Sequence, residues 1–171
     1  MQTEKDWIKS AYVQMNRKFV NIGSYIGYNI LRVDFEGPEF FFDLEEDESN
    51  LGLSLFSALK YSHFITLEES THMGMDKKSY PNWIKRTMKQ YGHKTKGDMF
   101  KPMFSCGVSE EKDNFLFSPT HQCALNSWEG TKETEANKFT IPLTATAAEM
   151  GAALRRCLGL CTSKFDPPKD V

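Results

Sequence analysis

The chain has 171 residues, 40% of them hydrophobic and 13% aromatic, enough to bury one ordinary core with no need for a second domain. Its formal net charge of −2 gives no global attraction to nucleic acid or to an anionic membrane. No stretch approaches the roughly 20 apolar residues of a membrane span, and the N-terminal MQTEKDWIKSAYVQ has charges where a signal peptide needs an apolar core, so a cytoplasmic protein with reduced, mostly buried cysteines is expected.

The first third reads as strands. AYVQM and FVNIGSYIGYNILRV are rich in β-branched and aromatic residues, and the Asn16-Arg17-Lys18 break suits a short turn in an antiparallel pair. Gly23 and Gly27 mark a bulge or a close backbone approach. After Gly37-Pro38 the aromatic EFFF runs into acid, which cannot continue a core strand. Leu51, Leu55, Ala58 and Leu59 take helical spacing, so a short helix to about Tyr61 is predicted, capped by Ser49 or Asn50. HFITLEEST is predicted as a strand leading into the loop HMGMDKKS.

Next comes a well-signalled helix. Trp83, Ile84, Thr87, Met88 and Tyr91 lie on one face, opposite Lys85, Arg86, Lys89 and Gln90, and Gly92 supplies the left-handed residue that closes the last turn. Pro81 sits near the first turn, where its missing N–H costs nothing. A basic connector follows, then MFSCGV and NFLFSP as a hairpin around SEEKD, and the short strand KFTIPL, whose Pro142 suits a sheet edge. Thr146-Ala147-Ala148-Glu149 forms a capping box for a final helix with Met150, Leu154, Cys157, Leu158 and Cys161 on one face. Together these elements predict an α+β fold, a largely antiparallel sheet packed with about three helices, as one domain over residues 1–171 with a frayed tail from about residue 164.

Charge is segregated along the chain. Asp34, Glu36, Glu39, Asp43, Glu45, Glu46, Asp47 and Glu48 follow one another without a Lys or Arg, whereas Lys77, Lys78, Lys85, Arg86, Lys89, Lys94, Lys96 and Lys101 are interrupted only by Asp98. The acidic run lacks the regular spacing of a calcium loop, so it is either a solvated loop or an anionic face for a basic partner. Cys157 and Cys161, four apart on the last helix, could share a metal with Cys106, Cys123 or His121, but no C-x-x-C pair supports this, and packing residues are the plainer reading. His93, Lys96 and His121 could supply the acid, base and cation of a small metal-independent nuclease, and the basic segment 85–101 could bind nucleic acid directly. No phosphate-binding loop, dinucleotide fingerprint, serine-hydrolase elbow or H-E-x-x-H occurs, which points to a binding protein with no catalytic residues, metal or cofactor.

From Tyr80 onward the order Trp83, Met88 with Tyr91-Gly92, Lys94-Thr95-Lys96, then Phe100-Lys101 with Met103 and Cys106 resembles the immunity proteins of bacterial contact-dependent growth inhibition systems. Pro119 with His121, Trp128, Ile141-Pro142, and Gly151-Ala152-Ala153-Leu154-Arg155 before Cys161 continue that family's order. The resemblance covers the C-terminal half well and the N-terminal strands loosely. It departs at His93, where the family usually has tyrosine, and at Pro102, where it has a more polar residue.

The resemblance implies a cytoplasmic inhibitor, monomeric or homodimeric, that binds the toxin domain of a cognate effector, typically a nuclease, without direct nucleic-acid or membrane contact. In some relatives the toxin contributes a hairpin that extends the sheet. Because the motif residues fall on core-type faces, partner choice is expected at Asp43, Glu45, Glu46, Asp47 and Glu48, and next at Glu110 and Glu111 of the SEEKD hairpin.

Overall fold

The structure, a computed structural model, describes residues 3–166. After a 3-10 turn at Glu4–Asp6, β1 (Lys9–Met15) and β2 (Val20–Tyr28) form a hairpin whose turn is shaped by the Asn16 side chain accepting the backbone N–H groups of Lys18 (2.8 Å) and Phe19 (3.1 Å). Asn29 then takes a positive φ of 58°, a conformation asparagine tolerates, and turns the chain into β3 (Ile30–Val33). The stretch from Phe19 to Val33, expected as one strand, is therefore a second hairpin. β4 (Glu39–Phe42) pairs with the first half of β2, Val20 opposite Phe42, while β3 pairs with its second half, Tyr25 opposite Val33.

Among the described residues six α-helices follow in two groups. α1 (Glu48–Tyr61), α2 (Leu67–Met75), α3 (Ser79–Tyr91) and α4 (Lys96–Phe100) precede the hairpin of β5 (Phe104–Glu110) and β6 (Asn114–Pro119). β7 (His121–Ala124), β8 (Ser127–Glu129), α5 (Lys132–Ala136), β9 (Phe139–Pro142), α6 (Ala147–Leu160) and β10 (Thr162–Ser163) complete the described chain. The three helices expected from sequence are the long ones, α1, α3 and α6.

The main sheet has seven strands in the order β3-β2-β1-β5-β6-β9, with β4 sharing the β3 edge, and all its pairings are antiparallel. A small sheet, β10-β7-β8, has one parallel pairing. Strand alternation sends Ala11, Val13, Ile22, Val108 and Phe117 to one face of the main sheet, where α1 and α6 cover them with Leu51, Leu55, Met150 and Leu154. On the other face Phe19 packs with Trp83 and Ile84 of α3 and Met99 and Phe100 of α4.

Several elements start elsewhere than the sequence predicts. Asp47, not Ser49 or Asn50, caps α1 by accepting the Asn50 N–H. Only Phe64 of HFITLEEST bridges to β2, and from Leu67 onward the segment becomes α2, because Thr66 and Glu69 form a reciprocal capping box that sets a helix start where the β-branched Ile65-Thr66 pair suggested strand. Much of HMGMDKKS is thus helix as well. A further box, Thr95 with Asp98, turns part of the basic connector into α4. Lys164 donates its N–H to the Gln122 carbonyl (3.1 Å), and residues 167–171 of the expected tail lie outside the described residues.

α1 and α6 approach each other through glycine. A Cβ at Gly52 would collide with the Ala147 carbonyl, and one at Gly151 with the Glu48 carbonyl. Because both obstacles are backbone, Gly151→Ala should cost about 3 kcal/mol or more of unfolding free energy, read as a lower midpoint in a urea titration.

Candidate functional site

The acidic run from Asp34 to Glu48 does not form one surface. Asp34, in the turn after β3, is 9% exposed and accepts the Glu36 N–H at 3.0 Å. Glu39 on β4 is committed to the core border, where one oxygen accepts the Trp83 indole N–H (2.7 Å) and the other pairs with Arg86 (2.7 Å). Asp43 to Glu48 form a ridge between β4 and α1. Asp43, Glu45, Asp47 and Glu48 are exposed, while Glu46 is half-buried and accepts the Asn50 side-chain amide (2.7 Å). Arg155 of α6 holds this ridge from below, donating to the carbonyls of Leu44 (3.1 Å) and Glu46.

Glu110 and Glu111 lie elsewhere. Glu110 is paired with Lys9 in register, and Met15, at the other end of β1, pairs with Val20, which pairs with Phe42 just before the ridge. Six strand steps at roughly 3.3 Å each separate the two ends of β1, so about 20 Å divides the hairpin carboxylates from the ridge. The structure brings residues 43–48 together and leaves Glu110 and Glu111 apart from them.

The motif residues of α3 are scaffold. Trp83, Ile84 and Thr87 are buried, Trp83 stacks on Tyr80 at 6.0 Å, and Tyr91 packs its ring on Phe19 (4.7 Å) and Phe41 (5.6 Å). Gly92 at φ 64° ends the helix in the left-handed conformation. Beyond it, Arg17, Lys18, His93, Lys94 and Lys101 line an open recess in which Asp98 accepts the N–H groups of Lys94 and Thr95 (both 3.1 Å). His93 shares a hydrogen bond with the Asn16 amide (3.3 Å), and burial, aided by the Lys18 charge, holds its imidazole below the ordinary histidine range. His121 is engaged with Thr162 in the small sheet (2.8 Å) and does not line that recess, so His93, Lys96 and His121 are not assembled as one nuclease centre.

Cys106, Cys157 and Cys161 meet inside the core, with Cys161 donating to the Ser105 carbonyl at 3.1 Å. Hydrogen bonding to the neighbouring thiols and complete burial hold Cys106 well above its usual range, so it stays protonated. Among the described residues no group of three His, Cys, Asp or Glu side chains is placed to hold a metal ion.

The structure also contains a groove of about 510 Å³ that the sequence does not predict. It runs between α2, the end of α1 and the turn from β3 to β4. Ile26, Phe35, Ile65 and Met73 give it an apolar floor, and Asp34, Glu36, Glu68, Glu69 and Asp76 rim it. Thr66-x-x-Glu69 was the available signal, since a helix starting there would have set Glu68, Glu69, His72 and Met73 along successive turns.

These features define an α+β binding protein with a fixed acidic ridge and an acid-rimmed groove. The chain belongs to the CDI immunity protein family, CdiI, whose family model matches residues 9–161, and it is thus an immunity protein of a contact-dependent inhibition toxin–immunity system. It is 28% identical over 173 residues to the immunity protein CdiI-YPIII of Yersinia pseudotuberculosis serotype O:3 (strain YPIII), covering 91% of this chain and 98% of that protein. Among solved structures it matches a toxin and immunity complex, CdiA-CT/CdiI, from Yersinia pseudotuberculosis, with a TM-score of 0.76, 26% identity, and 91% and 99% of the two chains covered. A protein of unknown function, NMB0488 from Neisseria meningitidis, shares the fold with a TM-score of 0.84 at 22% identity, covering 94% of this chain and 99% of that one. No helix among the described residues is long and apolar enough to cross a membrane.

Two outcomes test the scaffold roles. Trp83→Ala should lower the unfolding free energy by roughly 3 to 5 kcal/mol in a denaturant titration, since the ring is 4% exposed and its N–H bond to Glu39 is lost as well. His93 titrates lower in the folded state than its ordinary value of 6.5. The unfolded chain therefore binds the extra proton first, and stability contributed by neutral His93 is full above that value and falls as pH drops through it. Urea midpoints at about pH 7.5 and about pH 5 should differ less in His93→Gln than in the parent protein.

Proposed function

We propose that this protein neutralises the C-terminal toxin domain of a cognate contact-dependent inhibition effector by binding it stoichiometrically in the cytoplasm, and that the toxin is a nuclease. The observation that supports this most is the family match over residues 9–161, joined to a likeness of fold and sequence with an immunity chain solved together with its toxin. The protein itself is read as a non-catalytic inhibitor. Histidines placed on separate elements with separate partners favour that reading over a small nuclease built on His93, Lys96 and His121.

Nuclease domains present cationic clefts to the phosphate backbone, so an inhibitor gains from a rigid anionic face. The ridge at Asp43, Glu45, Glu46, Asp47 and Glu48 supplies such a face, held in position by Arg155 and by the cap of α1. Glu110 and Glu111, at the distant hairpin, would serve a second and smaller contact. Because most ridge carboxylates are exposed, their effect is chiefly on encounter, screened over a Debye length of about 8 Å at physiological salt.

Mixing the purified protein with the toxin domain encoded by the neighbouring gene should abolish that domain's nuclease activity at one equivalent. Cleavage of plasmid DNA or total RNA by the protein alone, lost in His93→Ala or His121→Ala, would refute the non-catalytic reading. Replacing Glu45, Glu46, Asp47 and Glu48 by Gln or Asn should slow association severalfold and flatten its salt dependence in stopped-flow or surface-based kinetics, with dissociation little changed. Unaltered association and salt slope would place the docking face off the ridge.

A further inference from the structure

We propose that the groove beside α2 receives an arginine side chain of the bound toxin domain, its guanidinium against Asp34, Glu36 and Glu68 and its aliphatic stem along the apolar floor. This rests on the toxin-neutralising reading above and assigns the short-range part of recognition to a surface other than the ridge.

Shape and chemistry agree on the occupant. The groove, about 510 Å³, combines an apolar floor at Ile26, Ile65 and Met73 with carboxylates at its rim, and its lining includes no lysine or arginine. An arginine is apolar along its stem and cationic at its tip, so it matches both parts of such a groove at once. The chain's own Arg32 does not fill this role. Its guanidinium is directed to the Ser70 hydroxyl (3.4 Å) and lies against Gly74.

Asp34 makes the requirement for a cation specific. It is nine-tenths buried, it lines the groove, and among the described residues it forms no ion pair. One carboxylate oxygen accepts the Glu36 N–H. A planar guanidinium offers this carboxylate both donors and a counter-charge, in a fork that fits a carboxylate edge. Tyr61 and His63, set edge to face at 5.7 Å, wall the mouth of the groove and offer ring surface on which that plane can rest.

The packing of α2 points the same way. Ser70 is its buried residue, while Leu67 and Met75 are 62% and 61% exposed, so this helix gains little from the core it adjoins. A side chain clamped between α2 and the β3–β4 turn adds contacts that the helix otherwise lacks. The ridge carboxylates of Asp43, Glu45, Asp47 and Glu48, by contrast, stand in solvent and act at a distance.

The first test needs no toxin. N-acetyl-arginine amide at millimolar concentration should shift the backbone amide resonances of residues 34–36 and 63–76, and N-acetyl-citrulline amide, its neutral isostere, should not. Equal shifts from both probes, or none from either, would overturn the proposal.

The second test uses the toxin domain encoded by the neighbouring gene. Asp34→Asn keeps the acceptor for the Glu36 N–H, and combined with Glu36→Gln and Glu68→Gln it should weaken binding about tenfold or more, mainly through faster dissociation, with the unfolding midpoint unchanged. If Asp34→Asn lowers that midpoint, the exposed pair Glu36→Gln and Glu68→Gln should still speed dissociation. Parental dissociation in these variants would overturn the groove while leaving neutralisation intact, whereas a parent protein that fails to bind the toxin would refute the underlying reading instead.

Discussion

The backbone-to-backbone approach of α1 and α6 is the constraint on which the rest of the structure depends. Two glycines, Gly52 and Gly151, let each helix set its surface against a carbonyl of the other, at Ala147 and Glu48. Both carbonyls sit in or beside a first helical turn, so the crossing fixes the start of α1 as well as that of α6. With the two helices locked together, Leu51, Leu55, Met150 and Leu154 present one continuous apolar layer to the sheet. The acidic ridge inherits its position from this arrangement, because it leads directly into α1.

A second anchor ties the opposite face to the edge of the sheet. Glu39 leaves β4 to meet both the Trp83 indole and Arg86, so one carboxylate links strand and helix through two hydrogen bonds. Partial burial strengthens the bond to the indole, while the Arg86 end of the pair stands largely in solvent. The consequence is a division within the acidic run: Glu39 is structural, Asp34 and Glu36 line a groove, and Asp43, Glu45, Asp47 and Glu48 face solvent. Charges adjacent in sequence thus occupy three different environments.

Long periodic elements were legible in the sequence because burial and periodicity agree there. α3 closes at Gly92, α6 opens at Thr146, and the hairpin around SEEKD forms where expected. The misses arose where local signals conflicted or were short. Asn29 breaks a run of strand-forming residues by one positive φ, which residue identity alone does not announce. Ile65 and Thr66 look like strand, yet the capping box that Thr66 forms with Glu69 decides for helix. The small sheet was hidden because β7, β8 and β10 are each four residues or fewer and β10 arrives from beyond α6. The ridge could be read from charge alone, but the groove depends on three segments meeting in space, and no single stretch of sequence displays it.

The contact from Arg155 to the ridge separates the course of this loop from the charges it carries. Its guanidinium grips the carbonyl oxygens of Leu44 and Glu46, atoms that every amino acid possesses. The path of the ridge is therefore secured without reference to most of the side chains displayed on it. Substitutions at positions 43, 45 and 48 can therefore alter the charge displayed along the ridge while the loop keeps its course, so this surface pattern can drift without first passing through a misfolded intermediate.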